Sequence, residues 1–231
     1  MTAQRYNQDR PVIISFMPAS TPPPAQTRVD AVRNRRRLLD AGRAALAEGG
    51  LEVSIEEIVR RAGFAKGTFF RHFATKEALI QALLADRLLR LTEIARDVNA
   101  AHEPGWDALR TMMERFVDHA AADCSISECL GGHPTIGAEA RPAHAALQAE
   151  VRHTLEAAQA TGEVRSDVGH SDLEIITMAI LGATAPLHST HPHLGRRYVR
   201  LFVDGLRSGT VSDLGGPPLG DDETGACSAR A

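Results

Sequence analysis

One short segment, Ser54 to His72, restricts the fold of this chain more than any other, because it encodes two short helices in immediate succession. Ser54 can cap a helix, and Glu57 stands three residues later, which is the spacing of a capping box. That helix is predicted to run to about Arg61 and to end before Gly63. A third helix of the chain then follows at about 65–72.

The third helix carries aromatic and basic residues together, which predicts two different faces. Phe69 and Phe73 stand at i and i+4, so we expect both on one face. Their predicted core partners are apolar residues of the neighbouring helices, namely Ile55, Ile58, Val59 and Leu79. Phe70 cannot share that face and is expected on the exposed side.

The charges of this segment favour contact with a polyanion. Lys66 and Lys76 stand at helix N-termini, where a cation opposes the helix dipole by about 0.3–1 kcal/mol. A nearby phosphate would reverse the sign, and Gly67 would let the backbone approach DNA closely. In a helix-turn-helix, the N-terminal residues of the second helix meet base edges in the major groove. The alternative is that these lysines only form a solvated face.

The charge distribution supports the first interpretation. Residues 28–76 hold 11 basic and 6 acidic residues, a formal charge of +5, whereas the rest holds 15 basic and 23 acidic residues, a charge of −8. Of all residues, 43% are hydrophobic and only 4% are aromatic, which favours packed helices over a sheet. We therefore predict an all-α fold of about nine helices. The helices after the third are expected at about 75–98, 106–122, 140–160, 171–189 and 191–207, and the first at 28–48.

Four segments are predicted along the chain. Residues 1–27 and 208–231 are rich in Pro, Gly and polar residues and are expected to be disordered tails. Residues 28–76 would form the DNA-binding domain, and 77–207 a larger helical domain. The three cysteines and the lack of a long apolar run indicate a reducing, cytoplasmic setting without membrane contact.

The segment "SIEEIVRRAGFAKGTFFRHFATKEALI", Ser54–Ile80, resembles the TetR family of transcriptional regulators, as does the basic helix ending in Gly49–Gly50 before it. The resemblance implies a helix-turn-helix followed by a domain that binds a small-molecule effector and forms a homodimer. The DNA-contact positions that it implies are Ser54, Lys66, Gly67, Thr68, Phe70, Arg71, His72 and Lys76. Two departures are Ala65, where the family usually has Ser, and Phe70, where it usually has Tyr.

Basic residues of the first helix are a further candidate for DNA contact. Arg33, Arg35, Arg36 and Arg37 could form an arm over the DNA backbone, with Arg33 the assigned contact residue. The alternative is a solvated helix N-terminus.

The last two helices carry more apolar surface than a single chain needs, and the resemblance implies a four-helix bundle across a two-fold axis. The predicted interface residues are Ile176, Ala179, Ile180, Ala183, Tyr198, Leu201, Phe202 and Leu206. The middle helices would enclose the effector. Its candidate lining residues are Trp106, Met112, Met113, Phe116, His119, Leu147, Val151, Leu155 and Met178. The alternative is plain core, which is the more frequent role of a methionine and aromatic stripe at helical spacing.

Two groups of cysteine and histidine residues are weaker signals. His119, Cys124, Cys129 and His133 are suitable ligands for a zinc-like ion, but their spacing matches no recognised metal motif. Thiol redox sensing and ordinary buried thiols are the alternatives. The "HSTHPH" segment, 188–193, is expected to mark a turn, so we predict neither a metal nor a cofactor.

These observations predict a ligand-responsive DNA-binding regulator, more specifically a repressor that an unknown small molecule releases from double-stranded operator DNA. A non-specific architectural DNA-binding protein is the alternative. An enzyme is not expected, because the sequence contains no nucleophile elbow, P-loop, Rossmann glycine pattern or HExxH motif.

Overall fold

The computed structural model describes residues 25–122, 136–209 and 212–218, and these residues are mainly helical. Their eight α-helices are α1 (Ala25–Gly49), α2 (Ile55–Ala62), α3 (Lys66–His72), α4 (Lys76–Ala101), α5 (Trp106–Ala122), α6 (Arg141–Ala160), α7 (His170–Thr184) and α8 (Leu194–Asp204). Two 3₁₀ helices cover Gly50–Glu52 and Ala185–Leu187. Within this part of the chain, an antiparallel bridge between Val164 and Arg207 is isolated from any strand. The all-α prediction is confirmed.

Most helix boundaries lie close to those predicted, and the two largest differences occur near prolines. The helix predicted to reach residue 189 ends at Thr184 and passes into a 3₁₀ turn that contains Pro186. The next helix begins at Leu194, after Pro192, rather than at residue 191. Proline lacks the N–H that would continue a helix, which explains the first of these differences. At the other end of the chain, α1 begins three residues earlier than predicted, at Ala25.

The helix-turn-helix begins with the predicted cap and turn. The Ser54 hydroxyl oxygen accepts a hydrogen bond from the Glu57 N–H at 3.2 Å. The Glu57 carboxylate binds Arg60 and Arg61, and these hydrogen bonds lower its pKa to about 2. Gly63 ends α2 with a φ of 69°, a left-handed conformation that favours glycine.

The first of the two main cores joins α1, α2 and α3 to the start of α4. Its fully buried large side chains are Leu38, Leu46, Ile58, Phe69, Phe73, Leu79 and Leu83. Phe69 and Phe73 are therefore anchors, as predicted, although Phe73 lies one residue beyond α3 in an extended conformation. Their ring centroids are 5.7 Å apart. The α3 helix is thus held by one aromatic side chain within it and one directly after it.

The second main core is formed by five helices, α4, α5, α6, α7 and α8. Its centre consists of buried aliphatic and methionine side chains, including Leu109, Met112, Met113 and Leu173. Trp106 closes one end, because its indole N–H donates to the Val203 carbonyl at 3.4 Å. The guanidinium groups of Arg110 and Arg207 lie 4.9 and 4.2 Å from the centre of its ring.

Part of the predicted C-terminal tail packs against the second domain. The Arg165 guanidinium donates to the Ser212 carbonyl at 2.9 Å, and Pro218 lies beside Gly169. Residues 212 and 218, within the predicted C-terminal tail, therefore contact the second domain. Across the described ranges, no helix has the length and apolar character needed to span a membrane.

Replacing Phe69 should destabilise the N-terminal helical domain far more than replacing its neighbour Phe70. Phe69 is 0% exposed and Phe70 is 48% exposed. We expect Phe69→Ala to lower the free energy of unfolding by about 3–5 kcal/mol, because it leaves a cavity in the core. Phe70→Ala should change it by less than about 1 kcal/mol. Urea denaturation followed by circular dichroism measures both, and equal losses would contradict the two-face assignment.

Candidate DNA-binding surface and regulatory core

The α3 helix presents most of the predicted DNA-contact residues on its outer side. Lys66, Gly67, Phe70 and Arg71 are exposed. A Cβ atom added at Gly67 would meet no other atom within 4 Å. Among the described residues, packing therefore gives no reason for glycine at this position. Two further predicted residues, Thr68 and His72, are half-buried at the edges of this surface.

The two departures from the usual family residues have clear structural effects. Ala65 precedes α3 in the extended conformation of an N-cap but supplies no side-chain hydrogen bond. Its carbonyl accepts a backbone hydrogen bond from Thr68 at 2.9 Å. Phe70 projects outward and meets the edge of Phe69, with ring centroids 5.5 Å apart. This surface is therefore more apolar, and the start of α3 less strongly capped, than the family pattern implies.

Both predicted phosphate-binding lysines already have partners within the chain. The Lys66 ammonium forms an ion pair with Glu56 of α2. A hydrogen bond from Lys66 lowers the pKa of the Glu56 carboxyl, so this group is ionised at neutral pH. The Lys76 ammonium donates to the Leu51 carbonyl, which holds it near the start of α4. A phosphate must therefore replace these contacts or share them.

His72 lies at the C-terminal end of α3 in a positive environment. Partial burial lowers its pKa, and the nearby charges of Arg35 and Arg71 lower it further. The imidazole is therefore mainly neutral at pH 7, so it can both donate and accept a hydrogen bond at a base edge. Ser54, at the start of α2, is exposed, and its hydroxyl hydrogen remains able to donate while its oxygen caps the helix.

The predicted basic arm separates into two kinds of residue. Arg33 and Arg36 are exposed on α1, as an arm requires. Arg37 is also exposed, but its guanidinium donates to the Ala62 carbonyl at 2.8 Å and lies 4.6 Å from the centre of the Phe64 ring. Its guanidinium holds the turn between α2 and α3, so Arg37 is corrected from arm to structural residue.

Arg35 is also a structural residue, and it links three parts of the molecule. Its guanidinium donates to the His72 carbonyl at 3.3 Å and lies 4.4 Å from the centre of the Phe73 ring. It also forms a 2.7 Å ion pair with Glu139, which precedes α6. The end of α3 is therefore connected through one side chain to the second domain, which corrects the assignment of Arg35 to the arm.

The predicted dimer residues are divided between surface and core. On α8, Tyr198 and Leu201 are 44% and 69% exposed. Ala179 and Ala183 are exposed on α7, where Ile176 is half-buried. Ile180 and Phe202 pack partly against the second core. Leu206 is 3% exposed within that core, so its side chain is unavailable to a partner and its assignment is corrected.

Most of the predicted effector-lining residues come together in the second core. Met112, Met113, Phe116, Val151 and Leu155 are buried in one cluster, with Trp106 and Leu147 packed against it. Met178 is half-buried on α7, and His119 lines a different cavity, between α1 and α4. Most of these side chains therefore lie together in the structure, and the effector assignment stays a prediction.

Most residues of the first cysteine and histidine group lie outside the described part of the chain. Cys124, Cys129 and His133 lie outside the described residues. Among the residues that are described, no group of three or more Cys, His, Asp or Glu side chains is placed to hold a metal ion. The "HSTHPH" segment follows the second 3₁₀ helix and precedes α8, so it forms the predicted turn.

Two family profiles match the two domains. Residues 38–83 match the profile described as bacterial regulatory proteins, tetR family. Residues 103–208 match the SbtR-like C-terminal domain of transcriptional regulators. A crystal structure of a TetR transcription regulatory protein from Mycobacterium vanbaalenii is 38% identical in sequence, with a TM-score of 0.51, and the match covers 79% of this chain and 99% of that one. This chain belongs to the TetR family.

Two other transcriptional regulators agree with this result. A TetR transcriptional regulator from Streptomyces coelicolor is 30% identical, with a TM-score of 0.52, over 76% of this chain and 99% of its own. The HTH-type transcriptional regulator UidR of Escherichia coli K12 is 26% identical over 144 residues, which are 60% of this chain and 73% of UidR. The chain is therefore a transcriptional regulator of the TetR family, and the predicted family is confirmed.

Three residues of the site were missed or misassigned from the sequence. Glu56 pairs with Lys66, and the ten-residue separation gave no periodic signal for this contact. Arg35 and Arg37 stand in a basic run that favoured an arm, yet both bind carbonyls at the ends of neighbouring helices. A cation near the C-terminal end of a helix is stabilising, and this rule could have suggested the positions of Arg35 and Arg37.

Removing the Glu56 charge should strengthen DNA binding. Glu56→Gln removes the partner of Lys66, so a phosphate no longer competes with a carboxylate. An exposed ion pair contributes little to stability, so we expect a modest gain in affinity, of up to about fivefold. The gain should be largest at low salt.

Fluorescence anisotropy with a labelled duplex measures this effect. Glu156→Gln is the matched control, because it removes the same charge from an exposed position on α6. An equal gain in the control would mean that net charge alone, and not the Lys66–Glu56 pair, sets the affinity.

Proposed function

We propose that this protein is a repressor that binds operator DNA as a homodimer and is released by a small-molecule effector. The observation that supports DNA binding is that α3 has a buried side and an exposed side. Its inner side is anchored by Phe69 and Phe73, whereas Lys66, Gly67 and Phe70 are exposed at the end that enters the major groove in a helix-turn-helix.

Within this proposal, the DNA contacts have separate roles. Lys76 and Ser54 contact phosphates, because they stand at the first residue of α4 and the cap of α2. Thr68 and His72 contact base edges. Phe70 contacts a thymine methyl group or a sugar, since it has no hydroxyl to bond a phosphate. The resulting operator preference should favour A·T pairs near Phe70.

A homodimer is supported by the exposed apolar surface of the last helices. Leu201 and Tyr198 of α8 are exposed, as is Leu187 in the preceding turn. A two-fold dimer would cover this surface and place two recognition helices on half-sites about one helical turn apart.

The effector is proposed to act by shifting a population between two arrangements of the dimer. The relative FadR from Bacillus subtilis was crystallised with stearoyl-CoA, at 15% sequence identity and a TM-score of 0.59. That likeness concerns the fold alone, but it supports a second domain able to accept a ligand. In this proposal the effector moves α4, and this 26-residue helix carries the movement to the DNA-binding domain. We also propose a cytoplasmic location, because the proposed partner is operator DNA.

The competing function is a non-specific architectural DNA-binding protein without an effector, which the exposed basic residues favour. A gel-shift titration with promoter fragments and excess random DNA separates the two. A repressor should keep its operator bound in excess competitor, whereas an architectural protein should lose it in proportion to the competitor.

Lys76→Ala and Thr68→Ala should affect DNA binding differently. We expect Lys76→Ala to weaken operator and random DNA alike and to reduce the slope of log affinity against log salt by about 0.9, for one lost phosphate contact. Thr68→Ala should change the ranking among operator variants and leave the salt slope unchanged. Unfolding curves of both variants check that the domain stays folded. An unchanged slope in Lys76→Ala would refute the phosphate assignment.

A charge placed at Leu201 should dissociate the dimer. Leu201→Glu would bury two carboxylates near the two-fold axis, so the chain should elute as a monomer at micromolar concentration. Leu89→Glu on α4 is the control, because Leu89 is 50% exposed and lies outside the last two helices. Light scattering with size-exclusion chromatography measures both masses. A monomeric wild type would contradict the dimer.

A further inference from the structure

The turn that precedes α6, residues 136–140, lies against the first part of α4. The Gly137 N–H donates to the side-chain oxygen of Gln81 at 2.8 Å. The Gly137 carbonyl accepts hydrogen bonds from the N–H groups of Ala140 and Arg141 at 3.1 and 3.0 Å. Backbone hydrogen bonds therefore hold this turn to the start of α6 on one side and to α4 on the other.

Apolar contacts attach the same turn to α4. Ala140 is 0% exposed in a small cluster with Leu84 and Leu88 of α4, and Ile136 packs against that cluster. Both kinds of contact lie within three residues of Glu139, so the backbone that carries Glu139 is held against α4 from both sides.

Glu139 connects this turn to α1 and, through α1, to the recognition helix. Its carboxylate pairs with the Arg35 guanidinium at 2.7 Å. The same guanidinium donates to the His72 carbonyl at 3.3 Å and lies 4.4 Å from the centre of the Phe73 ring. One side chain of α1 thus binds a carboxylate of the second domain and the C-terminal end of α3 at the same time.

The Arg35–Glu139 pair has more influence on position than on overall stability. The two side chains are 37% and 42% exposed, and pairs of this kind contribute little to the free energy of folding. The α3 helix, however, has seven residues and no side-chain cap, so few contacts decide where its C-terminal end lies. The rigid, planar guanidinium keeps its several donors in fixed directions, so an anchor on one part orients the rest.

We propose that Glu139 is a positioning residue for DNA recognition: through Arg35 it fixes the C-terminal end of α3 and with it the His72 side chain. The effect on DNA rests on the proposed function, in which α3 contacts base edges, whereas the link from Glu139 to α3 does not. Because Glu139 stands two residues before α6, whose Val151 and Leu155 lie in the second core, that core is connected to the recognition surface.

The direction of the effect distinguishes this role from simple electrostatics. Removing a carboxylate makes the protein less negative, which by itself favours binding to a polyanion. The positioning role predicts the opposite for Glu139→Gln, namely weaker binding to a preferred sequence. Glu156→Gln is the matched control, because it removes the same charge from an exposed position on α6.

Fluorescence anisotropy of the full chain with two labelled duplexes measures the difference. One duplex is enriched from random-sequence DNA by the wild-type protein, and the other is a scrambled sequence of the same composition. We expect Glu139→Gln to bind the enriched duplex about threefold more weakly and to keep its affinity for the scrambled one. Glu139→Asp keeps the carboxylate and should stay within about twofold of the wild type. Glu156→Gln should leave the ratio of the two affinities unchanged.

A double-mutant cycle tests whether Glu139 acts through Arg35. Arg35→Met removes the guanidinium and keeps an unbranched side chain beside the Phe73 ring. Adding Glu139→Gln to Arg35→Met should change the affinity for the enriched duplex by less than about 1.5-fold, and a further loss of about threefold would contradict the link. Circular dichroism verifies the fold of each variant, and Arg35→Gln takes the place of Arg35→Met if the latter unfolds.

Hydrogen exchange without DNA tests the link separately from the proposed function. The Phe73 N–H donates to the Phe69 carbonyl at 2.9 Å, so its exchange reports local opening at the end of α3. Glu139→Gln should accelerate this exchange about threefold, whereas Glu156→Gln should leave it unchanged. Unchanged exchange or unchanged discrimination between the duplexes in Glu139→Gln overturns the proposal. A wild type that enriches no duplex would refute the proposed function, while the exchange rates would still decide whether Glu139 fixes α3.

Discussion

The burial of two phenylalanines against α1, α2 and α4 is the constraint on which the DNA-binding surface depends. A helix of seven residues is not stable in water by itself, and α3 lacks a side-chain cap. Its position is therefore set almost wholly by the contacts of Phe69 and Phe73. These contacts also decide which residues face outward, since they fix the rotation of a very short helix. The basic residues can face outward because the aromatic residues face inward.

Arg35 and Arg37 also stabilise the same helix-turn-helix. Each donates to a backbone carbonyl at the C-terminal end of a short helix and lies over an aromatic ring. Each guanidinium thus combines a hydrogen bond, a favourable interaction with a helix dipole and a cation–π contact. In the first helix, alternate arginines are therefore used for internal support, and Arg33 and Arg36 remain exposed.

The sequence predicted the local features of the fold well, because their causes are local. The Ser54 cap, the Gly63 turn and the Phe69 anchor depend on spacing within a few residues, and the structure contains all three. Contacts across long separations were not accessible in this way. The Lys66–Glu56 pair, the Arg35–Glu139 pair and the cavity between α1 and α4 need the packing of helices from distant parts of the chain. Leu206 was misassigned for a related reason, since its apolar character alone does not indicate which helix covers it.

The position of Trp106 has a practical consequence for spectroscopy. It is the single tryptophan of the chain, and two guanidinium groups lie close to its ring at the end of the second core. Its emission therefore reports the state of α5 and α8 and carries no direct signal from α1, α2 or α3. An unfolding curve recorded by tryptophan fluorescence and one recorded by helical ellipticity observe different parts of this molecule. Where the two curves separate, the DNA-binding domain and the second domain unfold as independent units, and where they coincide, the interdomain contacts make them one cooperative unit.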